Sequence, residues 1–121
     1  MPLAIITYDP KNHDIGKCAL KISEILPGII AKTLSIPNHP HASLSENDTE
    51  VTIREYLVFD KNTPTIGIQI FANDYPERKE NLEERNKKIV EFIKQSNLLP
   101  YGESEKFYVW TMLFPGAFDI F

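Results

Sequence analysis

Apolar residues follow two rhythms along this chain, and the switches between them predict its elements. Leu3 to Tyr8 is a short, β-branched apolar run closed by Asp9-Pro10, the pattern of a strand followed by a breaker. From Asp14, placed to cap a helix, Ile15, Cys18, Ile22, Ile25, Ile29 and Ile30 recur at helical spacing. Pro27-Gly28 interrupts that row, which predicts either a kinked helix or two pieces. Residues 35–50 form a loop rich in Pro, Asn, Ser and His. Val51 to Phe59 alternates, with Val51, Ile53, Leu57 and Phe59 predicted to face the core and Thr52, Arg54 and Tyr56 the other side. A turn at Asp60 to Pro64 leads to a second central strand, Thr65 to Ala72. Asp74 and Pro76 open a helix with acids early and lysines late, as the helix dipole favours. Its apolar face is Leu82, Ile89, Phe92 and Ile93, and Lys106 to Phe114 reads as a last strand, stopped by Pro115-Gly116.

The predicted order is β-α-β-β-α-β in one domain, residues 1–121. Its halves echo each other, since a proline precedes each inner strand and a proline-containing turn precedes each helix. We read two β-α-β units, each a parallel pair with a right-handed crossover. The same order also describes a ferredoxin-like sandwich, so a non-catalytic module that binds a small ligand is an alternative.

Composition narrows the field. An apolar fraction of 42% and a charged fraction of 25% are those of an ordinary globule. The net charge of −4, with scattered lysines, argues against a nucleic-acid partner, whose phosphates demand clustered cations. The single cysteine, Cys18, permits no internal disulfide and reads as a small core residue of a cytoplasmic protein. No basic region precedes the N-terminal apolar run, and no run approaches the roughly 18 residues of a membrane span, so no membrane partner is expected. His39-Pro40-His41, with His13 elsewhere, lacks the third ligand and the spacing of a metal site. There is no Ser-His-Asp order, glycine-rich phosphate loop or paired-cysteine motif.

What remains is the N-terminus. Pro2 follows Met1 at the head of the first strand. Removal of Met1 would leave a secondary amine, and chain-terminal amines titrate near neutrality, at about 7.7–8.0. A base works best with a pKa near the working pH, so such an amine could take a proton from carbon beside a carbonyl. The charge that builds on oxygen needs fixed donors, and a substrate carboxylate is well matched by the planar fork of arginine. There are three arginines. Arg54 is predicted to face an interface or a pocket, or else to pair with Glu50 or Glu55. Arg78, at a helix start, is unfavourably placed unless an anion binds there or it pairs with Glu77 or Glu80. Arg85, among Glu83, Glu84 and Lys88, reads as a surface ion-pair residue. Tyr108 and Trp110 alternate with Val109, so one strand face presents aromatics to a packing surface or a pocket. The tail, Phe114 to Phe121, is apolar enough to require burial against a neighbour.

Met1-Pro2 heading an apolar strand, Thr52-Ile53-Arg54, Arg78, and the run Tyr108-Val109-Trp110-Thr111-Met112-Leu113-Phe114-Pro115 together give a family resemblance. The chain resembles the tautomerase superfamily, most of all its 5-(carboxymethyl)-2-hydroxymuconate isomerase branch, with macrophage migration inhibitory factor a more distant cousin. The resemblance implies an α+β sandwich in which two β-α-β units form a four-stranded mixed sheet with two helices on one face. It also implies a homotrimer and a cofactor-free isomerase of small unsaturated keto or hydroxy acids, with Pro2 as general base. Arg54, Arg78, Lys32, Tyr108 and Trp110 would then bind the carboxylate substrate, Lys32 standing near a position where the family sometimes carries a cation. A relative that keeps the scaffold without catalysis is a further alternative.

Overall fold

The structure, a computed structural model, describes residues 2–11, 13–99, 105–117, 119 and 121, apart from the His13 side chain. Strands β1 (Leu3–Tyr8) and β2 (Glu50–Glu55) pair in parallel on either side of helix α1 (His13–Leu34) in the sequence. Strands β3 (Ile66–Asn73) and β4 (Phe107–Phe114) likewise pair in parallel, connected through α2 (Pro76–Lys79) and α3 (Leu82–Gln95). The units join antiparallel through β1 and β3, giving the order β2-β1-β3-β4. A ferredoxin-like sheet splits its β-α-β units by placing another strand between their parallel pair. Here the parallel partners are direct neighbours, which removes the ferredoxin-like alternative.

Register sorts the residues between two faces. Ala4 pairs with Val51 and Ile70, Ile6 pairs with Ile53 and Ile68, and Ile68 pairs with Val109. The inner members of this face are buried beneath Ile15, Ile22, Leu26, Ile30 and Leu34 of α1 and Ile89 and Ile93 of α3. Each such side chain contributes about 1.5–3 kcal/mol of burial, so this layer dominates the stability of the fold. The opposite face carries Leu3, Ile5, Thr7, Thr52, Arg54, Gln69, Phe71, Tyr108, Trp110, Met112 and Phe114, and among the described residues no helix covers it. Phe71 and Phe114 stack there at 5.6 Å, and Trp110 is 57% exposed.

Three expectations are corrected. Helix α1 starts at His13 and runs unbroken past Pro27, so Asp14 lies in its first turn rather than at its cap. A proline inside a helix costs about 3 kcal/mol, but Ile22, Leu26, Ile29 and Ile30 bury on both sides of it and outweigh that loss. Strand β2 stops at Glu55 instead of Phe59, because its partner β1 ends at Tyr8. Leu57, Val58 and Phe59 instead occupy a turn in which Leu57 N–H donates to Asp60 Oδ2 (2.7 Å) and Asp60 N–H to Leu57 O (3.0 Å). They stand 72%, 94% and 91% exposed. The second helix is two helices, broken where Asn81 leaves helical geometry at φ −132° and ψ 32°.

Among the described residues no helix is long and apolar enough to cross a membrane. Cys18 packs half-buried against the core, as its spacing predicted.

Candidate functional site

Pro2 lies at the start of the inner strand β1 and is fully buried. Its carbonyl accepts from Glu50 N–H at 3.1 Å, and the next residue, Leu3, pairs with Phe71. The Pro2 end of the sheet is therefore also the end where β3 finishes, at Asn73, and where α1 delivers its C-terminal turn. Its nitrogen is bonded to Met1 and becomes an amine only when that residue is removed.

Arg78 belongs to this end of the sheet. It is 2% exposed, yet no carboxylate meets it among the described residues. Its Nε donates to Leu34 O (2.9 Å) and its Nη1 to Asn73 O (3.1 Å), while the guanidinium lies 5.2 Å from the Tyr75 ring centre. Burial lowers its pKa and the neighbouring Arg85 lowers it further, while Tyr75 acts in the opposite direction. Arg85 does not form the expected surface ion pair. Its Nη1 donates to Thr33 O (2.7 Å) and Ser35 O (3.2 Å), its Nε to Asn81 Oδ1 (2.6 Å) and its Nη2 to Glu77 O (3.3 Å). The reason is electrostatic: the last carbonyls of α1 have no helical partners and carry the negative end of its dipole. Two guanidinium groups from the α2–α3 region answer both needs, and among the described residues Nη2 of Arg78 has no hydrogen-bond partner.

Lys32 shares this end of the sheet, and the remaining expected site residues lie elsewhere. Lys32 is exposed in the last turn of α1, its ammonium 5.6 Å from the Phe92 ring centre of α3. Arg54 pairs in register with Thr7, roughly 16 Å along β1 from Pro2 at about 3.3 Å per residue. Thr7 in turn pairs with Gly67, and Gly67 with Tyr108. Arg54, Thr7, Gly67 and Tyr108 thus form one row across the uncovered face, at the end away from Pro2. Trp110 follows on the same face, and a shallow cavity of about 550 Å³ runs from it and Thr111 to Asn81, Leu82 and Asn86. A more apolar cavity of about 560 Å³, lined by Ile66, Ile68, Val90, Ile93, Leu99 and Phe107, lies between α3 and β4, also away from Pro2. Neither cavity includes Pro2. One chain brings Arg78 and the exposed Lys32 to the proline's end of the sheet, and leaves Arg54, Tyr108 and Trp110 facing outward.

The histidine loop holds itself. His39 Nδ1 accepts from His41 N–H at 3.1 Å, and the His39 ring packs 4.5 Å from Tyr75. No group of three or more metal-binding side chains exists among the described residues. Of the apolar tail, Phe118 and Ile120 lie outside the described residues, while Phe121 is fully exposed.

This fold is that of macrophage migration inhibitory factor-like proteins. The chain superposes on the macrophage migration inhibitory factor-like protein of Entamoeba histolytica with a TM-score of 0.56 at 14% identity, covering 98% of this chain and 95% of that one. A looser likeness, with a TM-score of 0.49 at 12% identity, covers 94% of this chain and 89% of Leishmania major MIF2. No protein-family model matches the sequence, and no curated protein matches it.

Proposed function

We propose that this chain is a cofactor-independent tautomerase or isomerase of small unsaturated keto or hydroxy acids, with Pro2 as the general base once Met1 is removed. The observation that supports the reading most directly is the position of Pro2. It heads an inner strand of a migration-inhibitory-factor fold, at the same end of the sheet as a buried arginine that has no carboxylate partner among the described residues. The freed nitrogen takes a proton from carbon beside a carbonyl and returns it to a different carbon. One C–H bond breaks and another forms while the double bond shifts by way of the enolate, so the change is redox-neutral and needs no oxidant or reductant. Arg78 Nη2 is the near donor for the substrate carboxylate.

The remaining donors come from a second copy. Arg54 and Tyr108 occupy one row at the far end of the uncovered face, so within their own chain they do not serve Pro2. In a closed ring the same row of one protomer can stand at a neighbour's proline end. Tyr108 then donates to the enolate oxygen, Arg54 binds the acid, and Trp110 lines the wall. The solvent-exposed Leu57, Val58 and Phe59, together with the aromatic face, supply apolar surface for that contact. We propose a homotrimer in the cytoplasm. Light scattering at micromolar concentration should give the mass of three chains, and a one-chain mass would contradict the shared site.

The test combines processing and charge. Mass spectrometry should find the active protein starting at Pro2, whereas full retention of Met1 favours a scaffold without catalysis. Arg54→Ala should lower kcat/KM for a carboxylated substrate such as phenylpyruvate by about 10–100-fold, the worth of a charge-assisted hydrogen bond, and barely affect an uncharged analogue. Equal losses on both would remove Arg54 from the site. Refolding Arg54→Ala together with Pro2→Ala should restore part of the activity, because mixed rings then contain intact pairs.

A further inference from the structure

Where β2 ends, Tyr56 continues the alternation of Thr52 and Arg54 on the uncovered face, and its N–H donates to Tyr8 O at 2.9 Å. Its side chain crosses β1 and ends over β3 at Gly67. A Cβ built on Gly67 would lie 2.6 Å from Tyr56 Oη, 2.6 Å from Tyr108 Cζ and 2.8 Å from Tyr108 Cε2. Both tyrosines therefore occupy the space that any other residue at this buried position would fill. The Tyr56 hydroxyl and the Tyr108 carbon that bears its hydroxyl thus converge on one point over Gly67. The partners are unequal: Tyr108 is 37% exposed, whereas Tyr56 is half-buried.

We propose that Tyr56 is a positioning residue, which holds the Tyr108 phenol by a hydrogen bond over the Gly67 notch and so fixes the donor that Tyr108 offers to substrate. This inference rests on the tautomerase reading above. An exposed edge-strand tyrosine samples several rotamers, and each misplaced one withdraws its hydroxyl from the enolate oxygen. Tyr56 removes that freedom by closing Tyr108 against the sheet. Burial, the Tyr108 hydroxyl and the Asp60 charge hold the Tyr56 phenol well above its ordinary pKa, so it remains a protonated donor at every working pH. A donor behind Tyr108 also polarises it, strengthening the bond that Tyr108 makes in front. The proton that moves in the reaction passes between carbon and the Pro2 nitrogen, and Tyr56 loses none.

Tyr56→Phe keeps the ring in the notch and deletes only the hydroxyl. It should lower kcat about 3–10-fold with KM within about twofold, since the lost interaction strengthens in the transition state. Tyr108→Phe should lower kcat further, and adding Tyr56→Phe to it should cost nothing more. An equal factor with or without the Tyr108 hydroxyl, or an unchanged kcat in the single variant, would overturn the assignment. Pro2→Ala run alongside separates the two ideas. If Pro2→Ala is inactive while Tyr56→Phe behaves additively, only the positioning role falls; if Pro2→Ala turns over normally, the base reading falls and takes Tyr108 and Tyr56 with it.

Discussion

Pro2→Ala should lower kcat/KM for enol–keto conversion by about 10²–10³-fold, within the range expected when a positioned general base is weakened. The variant still ends in an amine at the same place, which is why a residual rate should survive. A primary amine lacks the ring that fixes the direction of the lone pair, and its placement at the start of β1 becomes looser. A chain that keeps Met1 is a stricter control, because an acylated nitrogen has no basic lone pair and should show no proline-dependent turnover. The sign of the pH dependence follows: the amine acts only when neutral, so kcat/KM should fall about tenfold per unit once pH drops below its pKa. Stopped assays across neutral pH on the processed protein, the Pro2→Ala variant and a Met1-retaining form would check all three statements. Equal activity in the processed and Met1-retaining forms would sink the mechanism.

Much of the frame could be read from apolar spacing, because the residues that set it bury against several elements at once. Ala4 and Ile6 of β1 and Ile15, Ile22, Ile29 and Ile30 of α1 are buried as their periods require, with Cys18 and Ile25 partly buried beside them. The alternation of Tyr108, Val109 and Trp110 also places Val109 toward the core and the aromatics on the open face. Leu57 and Phe59 keep a strand rhythm without a strand, since periodicity cannot reveal that the partner strand has already ended at Tyr8. Pro27 carries a real local penalty that long-range burial outweighs. Sequence pairs Arg78 and Arg85 with carboxylates close by, yet at the end of α1 they grip carbonyls of Thr33, Leu34 and Ser35, groups that every residue carries and no sequence pattern marks. Two signals in the sequence mark Tyr56 and Gly67. Tyr56 extends the side of the strand that holds Arg54, and a glycine inside a strand implies close approach by another group.

Arg78→Met should destabilise the fold by about 2–4 kcal/mol, lowering Tm by roughly 8–16 °C for a domain of this size. Two opposing terms decide the figure. The substitution abolishes a buried cation whose pKa is lowered by desolvation and by Arg85, and that relief favours the variant. Against it, Leu34 O and Asn73 O lose charged donors at 2.9 and 3.1 Å, and the end of α1 loses one of its two guanidinium groups. Methionine fills the space but offers no N–H, so the two carbonyls are left unsatisfied at about 1–3 kcal/mol each, more than the relief returns. Arg85 cannot substitute, because its own Nη1 is already committed to Thr33 O and Ser35 O. Arg78→Lys should fall between the two, with a single ammonium in place of a fork that reaches both acceptors. Thermal unfolding of the three proteins gives the comparison. A Tm for Arg78→Met within a degree or so of the parent would mean that the guanidinium is held for substrate alone, not for the helix end it grips.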